Sequence, residues 1–466
     1  MGKERYVLLA LLLLAAFAYF SALASAQSED DVASKAMQCL SDLLSERDSI
    51  SLQEAVFASL AGATDGKIPI TINSTKSQTE ECWPAGGCTV RDTAQVMITK
   101  IRNGEDVEGI KEWLLSKVGP AQGLTWYLEI TIPSRQEATC RVRAEDPQTG
   151  DASEARITVH EDLTLSGNTG ACFTLANSNY WLMINQNCLD KVFKIACDNQ
   201  DDDFITNLAY QREGGGVVFI SPVSHSGTGS SDASSFTTEE VKAKCFKQGN
   251  ACDYEGSLWA TLALNYYAQD VSEFTPYLHA LAEDNVRYLP YAFVYLIDGR
   301  DDDFTRMLSF ISRFEGRFVW DVPNTAYNRF YDTALALLAM GQRDSGLRGS
   351  VISELADLQG DNGCWNNNNL RDTAFLIFGA GWTFGNGGGG PSVETHSECS
   401  PDGACVTVQG AGQDMCSADS DCANVSSGNH SACNSQGQCI VVQGPGQDQC
   451  STDADCTASE THAACT

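Results

Sequence analysis

The sequence predicts a mainly α fold of about six antiparallel helix pairs, interrupted by a small antiparallel β domain and followed by disulfide-rich repeats. Apolar residues recur at helical spacing over residues 27–124 and again over 237–382. Between them, at 125–221, apolar and polar residues alternate and turn residues separate the runs, as in short antiparallel strands. Because neither helical segment forms a complete core by itself, we predict one α domain into which the β domain is inserted.

Composition and charge restrict the class of partner. The chain has 466 residues, with 30 Lys and Arg against 61 Asp and Glu, so its formal net charge is −31. Nucleic-acid phosphates require basic surfaces, and we therefore expect no nucleic-acid partner. The 19 cysteines indicate an oxidising compartment, where disulfides form and persist.

The N-terminus has the layout of a secretory signal peptide over residues 1–26. Residues 3–5 are charged, residues 6–20 form an apolar run, and small residues at 24–26 offer a cleavage site. The alternative is an uncleaved anchor; we favour cleavage because the small residues follow the apolar run. No transmembrane segment is expected after cleavage. Three N-glycosylation acceptor patterns fit export, at Asn73, Asn424 and Asn429.

The last part of the chain repeats itself after a Gly-rich linker at 383–392. Two Cys-rich units, 393–426 and 427–459, share one cysteine spacing, and residues 460–466 are expected to begin a third, truncated unit. A Ser/Gly-rich stretch at 222–236 is predicted to be a flexible loop. The repeat cysteines are Cys399, Cys405, Cys416, Cys422, Cys433, Cys439, Cys450 and Cys456.

These cysteines predict two disulfides in each unit rather than a zinc site. Their gaps are wider than the close pairs of zinc ribbons, and a unit this short needs covalent cross-links to be stable. The cysteines before the linker are expected to form bridges too. Among them, Cys82 and Cys88 are close in sequence, as are Cys245 and Cys252, but the connectivity does not follow from the sequence.

The repeats also carry aspartates that suit calcium, whose ligands in proteins are oxygens. In the first unit these are Asp414, Asp419 and Asp421. A calcium site and a solvated acidic face are both compatible with the pattern, and we favour the acidic face because no loop has EF-hand spacing. The sequence requires no cofactor.

One motif recurs in the helical segments. The tripeptide Asp-Thr-Ala opens an apolar helix three times, and a tryptophan stands in the loop before each copy. The copies begin at Asp92, Asp332 and Asp372, and the tryptophans are Trp83, Trp320 and Trp365. With Leu355, Gln359 and Gly363 before Trp365, the pattern resembles the QW-type repeat of the α/α-toroid superfamily, which includes terpenoid (squalene) cyclases and protein prenyltransferases.

The resemblance implies an α/α toroid, in which inner helices surround a central cavity. It implies no particular reaction, because the DxDD, DDxxD and thioester motifs of related toroids are not found. Asp361 and Cys364 match part of the zinc triad of prenyltransferases, but no histidine follows within the toroid.

The three repeat aspartates are the candidate catalytic residues. Gathered at one mouth of a ring, two carboxylates would serve as acid and base in glycoside cleavage. Aromatic rings and amides suit sugars, so the candidate ligand-binding residues are Trp83, Trp320, Trp365, Asn366 and Asn369. In the alternative, which we favour, the aspartates cap helices and the tryptophans fill the core.

These observations predict a secreted or cell-surface protein with a binding or display role and no catalytic activity. The expected partner is a cell-envelope component, a glycan or another surface protein. An α/α-toroid enzyme that acts on polysaccharide or isoprenoid is the alternative, and a spacer between the head and the envelope is a third hypothesis.

Overall fold

The computed structural model describes residues 29–198, 203–229, 235–341 and 343–382, together with four short strands after residue 394. The contacts between residues divide the chain into two compact units, 1–390 and 391–466. The predicted signal peptide, the Gly-rich linker and most of the Cys-rich repeats, including Asp414, Asp419 and Asp421, lie outside the described residues.

Twelve α-helices lie in the described part of the first unit, five before the sheets and seven after them. The first five are α1 (Glu29–Glu46), α2 (Leu52–Leu60), α3 (Lys67–Ser74), α4 (Val90–Arg102) and α5 (Glu108–Ser116). The others are α6 (Tyr254–Tyr266), α7 (Thr275–Ala280), α8 (Pro290–Asp298), α9 (Asp301–Leu308), α10 (Arg329–Met340), α11 (Ser345–Asp357) and α12 (Leu370–Gly379). Short 3-10 helices span Gln186–Cys188 and Glu283–Tyr288.

Fifteen strands lie in the same part of the chain. The first eight are β1 (Val118–Pro120), β2 (Leu124–Thr131), β3 (Ala138–Glu145), β4 (Ala152–Val159), β5 (Leu165–Asn168), β6 (Phe173–Ala176), β7 (Trp181–Ile184) and β8 (Val192–Cys197). The remaining seven are β9 (Asp203–Arg212), β10 (Phe219–Thr228), β11 (Thr237–Glu240), β12 (Lys244–Gln248), β13 (Ala251–Cys252), β14 (Ile311–Phe314) and β15 (Arg317–Trp320).

These strands show that the prediction of a mainly α toroid is wrong. They form two five-stranded sheets, of order β10-β9-β2-β7-β6 and β11-β8-β3-β4-β5, a three-stranded sheet β1-β12-β13 and the hairpin β14–β15. All pairings are antiparallel. The chain is therefore a mixed α and β protein. The composition of a short strand such as β1 does not reveal this, because its partner β12 lies more than a hundred residues away in the sequence.

The two five-stranded sheets share one apolar core. Along β2 and β3 the buried side chains alternate with exposed or half-buried ones, for example Cys140 and Val142 on β3. These side chains pack with those of the other strands of both sheets into one cluster. The two sheets thus form a β sandwich between the helical segments.

The Ser/Gly-rich stretch at 222–236, predicted to be a loop, is strand as far as residue 228. Strand β10 forms one edge of its sheet and pairs with β9 through a bulge between Ile220 and Ser224. A side chain at Gly227 would collide with the ring of Phe204, so the small residue permits this pairing. The composition of this stretch indicated a flexible loop, but its pairing with β9 makes it a strand.

Six helices contact one another in cyclic order: α2 contacts α4, and the contacts continue through α6, α8, α10 and α12 back to α2. Aromatic rings fill the space between them. Phe57 on α2 lies 4.5 Å from Phe375 on α12, 5.8 Å from Tyr331 on α10 and 6.3 Å from Trp259 on α6, measured between ring centroids. The helical segments before and after the sandwich therefore share one hydrophobic core.

Five disulfides join ten cysteines of the first unit, which confirms that the chain is disulfide-bonded. Two are local, Cys82–Cys88 and Cys245–Cys252, as the sequence suggested. Two lie in the sandwich, Cys140–Cys197 and Cys172–Cys188. The fifth, Cys39–Cys364, connects α1 to the loop before α12 across 325 residues.

The second unit is described only as two β-hairpins. They are β16 (Thr395–Cys399) with β17 (Cys405–Gln409), and β18 (Asn429–Cys433) with β19 (Cys439–Gln443). In the first hairpin Cys399 is the register partner of Cys405, and in the second Cys433 is the partner of Cys439. The predicted calcium ligands and the other repeat cysteines lie outside these strands.

Candidate functional site

Each copy of the helical repeat is held by the same hydrogen bond. The threonine after the aspartate accepts, at its side-chain oxygen, the backbone N–H of the tryptophan in the preceding loop or strand. The pairs are Trp83 with Thr93 at 3.0 Å, Trp320 with Thr333 at 2.9 Å and Trp365 with Thr373 at 3.1 Å. The repeat is thus a structural device that ties a helix start to the segment before it.

The three tryptophans are core residues. Each is at most 1% exposed, and its indole N–H donates to a carbonyl of an earlier helix. The acceptors are Ile72 at 2.6 Å for Trp83, Met307 at 2.9 Å for Trp320 and Leu355 at 2.9 Å for Trp365. Because the polar atom of each indole is already bonded and the ring is covered, the structure places none of them where a ligand would bind.

A fourth, degenerate copy of this device opens α6, and the sequence analysis missed it. The backbone N–H of Phe246 donates to the hydroxyl of Ser257 at 2.9 Å, so phenylalanine and serine replace tryptophan and threonine. Gly256 stands where the other copies have aspartate, and Glu255 stands where two of them have arginine. An aromatic residue followed eleven positions later by a hydroxyl at a helix start was the available sequence pattern.

The repeat aspartates do not cap their helices. The cap residues are Thr89 for α4, Asn328 for α10 and Asn369 for α12. Asp92 instead forms an ion pair with Arg91 at 2.8 Å, and Asp372 forms one with Arg371 at 2.7 Å. Two of the candidate carboxylates are therefore already neutralised by a neighbouring guanidinium.

Tyr327 brings these helix starts together. Its hydroxyl accepts a hydrogen bond from Arg91 at 3.4 Å and donates to Glu255. The guanidinium of Arg371 lies 5.3 Å from the centroid of its ring. We call the residues that meet here the polar cluster: Arg91, Asp92, Glu255, Tyr327, Asn328, Asp332, Asn366, Arg371 and Asp372. The repeat aspartates that were predicted to gather thus lie in one cluster, where two of them have charged partners of opposite sign.

Amides complete the hydrogen bonding of Asp372. Its Oδ2 accepts from Asn328 at 2.8 Å and from Asn366 at 2.6 Å. The predicted ligand residue Asn366 therefore serves the cluster itself. Asn369, the other predicted amide, accepts the backbone N–H of Asp372 at 3.0 Å as the helix cap.

Asp332 is the exception in the polar cluster, because no cation neutralises it. Its Oδ1 accepts from the hydroxyl of Thr325 at 3.1 Å, whereas its Oδ2 has no hydrogen-bond partner among the described residues. Burial raises the pKa of Asp332 from 3.8 to about 7. Burial also raises the pKa of Glu255. Asp332 should thus exchange a proton near neutral pH.

A cavity of about 310 Å³ lies where the sandwich meets the helices. Its walls come from the end of β9, the start of β10, and helices α7, α8 and α9. Residues of both signs line it, with Arg212, Arg300 and Arg306 against Glu283, Asp302 and Asp303, and His279 lies among them. A larger groove of about 1030 Å³ runs between β1, β12 and the sandwich, but it lacks a buried titratable side chain in its lining.

His279 lies at the inner wall of the cavity between two carboxylates. The side chain is 2% exposed, its Nε2 lies 2.6 Å from Oδ2 of Asp298, and its Nδ1 lies 3.5 Å from Oδ2 of Asp303. Burial raises the pKa of Asp303. No sequence motif marked this histidine as a functional residue, because its two partners come from the end of α8 and the start of α9.

Arg300 stands beside this group and hydrogen-bonds the side chain of Tyr210. Its guanidinium lies 5.8 Å from the centroid of the Phe219 ring and makes no ion pair within the described residues. By contrast, Arg212 is paired with Asp284, and Arg306 with Glu283 at 3.0 Å. Among the arginines that line the cavity, Arg300 is therefore the one without a carboxylate partner in the described residues.

No protein-family model matches the chain, and no curated protein or solved structure is significantly similar to it. In the part of the chain that the structure describes, no helix has both the length and the apolar character needed to cross a membrane. The function is therefore inferred from the geometry of the described residues.

Proposed function

We propose that the chain is an exported binding protein that takes an acidic glycan in the cavity between the sandwich and the helices. Export is supported by the five disulfides, which form and persist in oxidising compartments, and by the signal-peptide pattern of residues 1–26. The predicted surface location and the glycan partner belong to this proposal.

The single observation that carries the proposal is the guanidinium of Arg300 in the cavity wall, which forms no ion pair with a carboxylate of the described residues. Guanidinium groups bind carboxylates through two parallel hydrogen bonds, and such charge-assisted bonds are stronger than neutral ones. A uronic or sialic acid residue carries that carboxylate. The other two arginines of the wall are occupied by carboxylates of this chain.

The rest of the lining suits a sugar ring. Phe219 and Tyr291 contribute aromatic rings to the lining, and Glu283 and Asp302 contribute carboxylates that can accept from hydroxyl groups. At the rim, Val217 is 43% exposed and Ile220 is 58% exposed, so apolar surface is available beside the charged wall. Aromatic, acidic and basic groups together match the mixed surface of an acidic saccharide better than that of an isoprenoid.

Binding to a glycan array of acidic and neutral oligosaccharides, followed by calorimetry with tetragalacturonate and the neutral cellotetraose, tests this function. We expect tetragalacturonate to bind and cellotetraose not to bind. Loss of one charge-assisted hydrogen bond is worth about 1.5–3 kcal/mol, so Arg300→Ala should weaken binding about 10- to 100-fold.

Arg156→Ala is the matched control, because Arg156 is an arginine on β4 with 69% side-chain exposure and lies outside the cavity lining. It should bind as the wild type does. Equal binding of acidic and neutral probes, or equal losses in the two arginine variants, would overturn the assignment of the cavity.

The enzyme alternative has weaker support. Catalysis by two carboxylates requires one acid and one free base. Asp92 and Asp372 are held by arginines, and Asp332 is the candidate that has no cation partner among the described residues. We therefore do not extend the proposal to a reaction.

A further inference from the structure

Three potential metal ligands meet beside the cavity, and two of them, His279 and Asp303, line it. One ligand atom from each of His279, Asp298 and Asp303 lies within 4.8 Å of the other two. They come from three consecutive elements, α7, α8 and the first turn of α9. Imidazole and carboxylates in this number form the ligand sets of sites that bind zinc and related divalent ions.

An independent observation concerns Asp303. Its side chain is 7% exposed, and its Oδ2 has no hydrogen-bond partner among the described residues; Nδ1 of His279 lies 3.5 Å away. A buried carboxylate oxygen without a hydrogen bond is costly. A cation placed between this oxygen and the imidazole would satisfy it.

We propose that His279, Asp298 and Asp303 bind one divalent transition-metal ion of the zinc class. The two charges of the ion would balance the two carboxylates. The imidazole favours zinc over calcium and magnesium, which prefer ligand sets made of oxygens.

The third ligand, Asp298, has a side chain that is 24% exposed, so the site opens toward solvent. Three protein ligands leave a fourth position for water or for a ligand in the cavity. The site is distinct from glycan binding at Arg300 and does not depend on it.

The competing arrangement is a protonated imidazole held between two carboxylates with no metal. Both arrangements use the same three residues, but only one binds an ion stoichiometrically. Calorimetric titration of the chelator-treated full chain with ZnCl₂ separates them, with CoCl₂ as a spectroscopic probe. We expect one equivalent of zinc to be lost in His279→Ala relative to the wild type, and the visible absorption of tetrahedral cobalt to be lost with it.

His160→Ala is the matched control. His160 also forms a histidine–carboxylate pair, with Nδ1 2.9 Å from Glu137, but it offers no second carboxylate in a described metal group. This variant should bind as many equivalents of zinc as the wild type. Arg300→Ala should do so too, because a loss of glycan binding in that variant tests only the proposed glycan site. Any zinc bound by the tail histidines His396, His430 and His462 remains in all variants and cancels in the comparison.

Asp298→Asn covers the case in which His279→Ala does not fold, because Asp298 lies at the partly exposed end of α8. We expect at least tenfold weaker zinc binding at this site and no rise in the melting temperature with zinc, whereas the wild type shows a rise. Zinc stoichiometry and melting temperature that are unchanged in Asp298→Asn would overturn the proposal. Wild-type protein that binds no zinc would overturn it as well.

Discussion

The hydroxyl oxygen of Thr333 lies 2.9 Å from the backbone nitrogen of Trp320 and accepts its hydrogen bond. The same hydroxyl donates to the carbonyl of Arg329 at 2.6 Å, so both of its roles are used inside the core. The bond fixes the end of β15 to the first turn of α10. With its equivalents at Thr93, Thr373 and Ser257, it explains why the repeat recurs in this sequence.

Thr333→Val should destabilise the protein by about 1–3 kcal/mol, because the buried N–H of Trp320 loses its acceptor while the side-chain shape is kept. Thr333→Ser is the control, since it retains the hydroxyl and removes only a methyl group. Urea unfolding followed by tryptophan fluorescence measures both. If the serine variant loses as much stability as the valine variant, packing rather than the hydrogen bond holds this junction.

The buried carboxyl of Asp332 should make stability fall as pH rises. Its pKa in the folded protein is about 7, against 3.8 ordinarily, so the folded state holds the proton more tightly than the unfolded state. Its contribution is full below about pH 4, is lost between pH 4 and 7, and is absent above that. The free energy of unfolding that is lost over this pH range is at most about 4 kcal/mol.

Asp332→Asn should remove this pH dependence, so its stability relative to the wild type should improve from pH 5 to pH 8. Urea unfolding of both proteins across that range measures the change. Asp372→Asn is the contrast, because it leaves Arg371 without its partner and should cost about 3–5 kcal/mol at every pH. If the difference in unfolding free energy between Asp332→Asn and the wild type does not change with pH, the raised pKa of Asp332 is contradicted.

The disulfide Cys39–Cys364 should contribute more stability than Cys82–Cys88. The first closes a loop across 325 residues and the second across 6, and the entropy removed from the unfolded chain grows with loop length. In that model the longer bridge is worth about 5–6 kcal/mol and the shorter about 2 kcal/mol. Thermal unfolding of the two double Cys→Ala variants checks the order, and the reverse order would show that local strain or packing dominates.

Peptide mapping of the unreduced protein should find Cys399 bridged to Cys405 and Cys433 bridged to Cys439. These pairs are register partners in their hairpins, where facing residues have Cα atoms about 4.5–5.5 Å apart, within disulfide range. Cys416 would then pair with Cys422. A bridge between Cys405 and Cys416 would contradict this connectivity.

The helical segments show which elements can be predicted from the periodicity of apolar residues. The apolar stripe around Ile110, Trp113 and Leu114 correctly placed a helix, now α5 at Glu108–Ser116, because helix formation depends on residues three or four apart. The strands at Val118–Pro120 and Phe219–Thr228 were missed, because their partners lie far away in sequence or in a strand whose register only the fold reveals. The mainly α class was wrong because the two five-stranded sheets make strands a major part of the fold.

The candidate site shows the same division. The repeat marked Asp92, Asp332 and Asp372, and the structure brings their helix starts into one polar cluster. Their charges were not predictable, since Arg91 and Arg371 neutralise two of them and the third is isolated by burial. His279 had no motif at all, because its partners are contributed by the following two helices.

The sequence by itself determined that the chain is rich in bridged cysteines, that helices flank a set of strands, and that one helical repeat recurs, because these features depend on composition and short-range spacing. The tertiary structure decided the class of the fold, the Cys39–Cys364 bridge, the burial of the tryptophans and the grouping of His279 with Asp298 and Asp303. Each of these depends on contacts between segments distant in sequence, and local patterns do not encode such contacts.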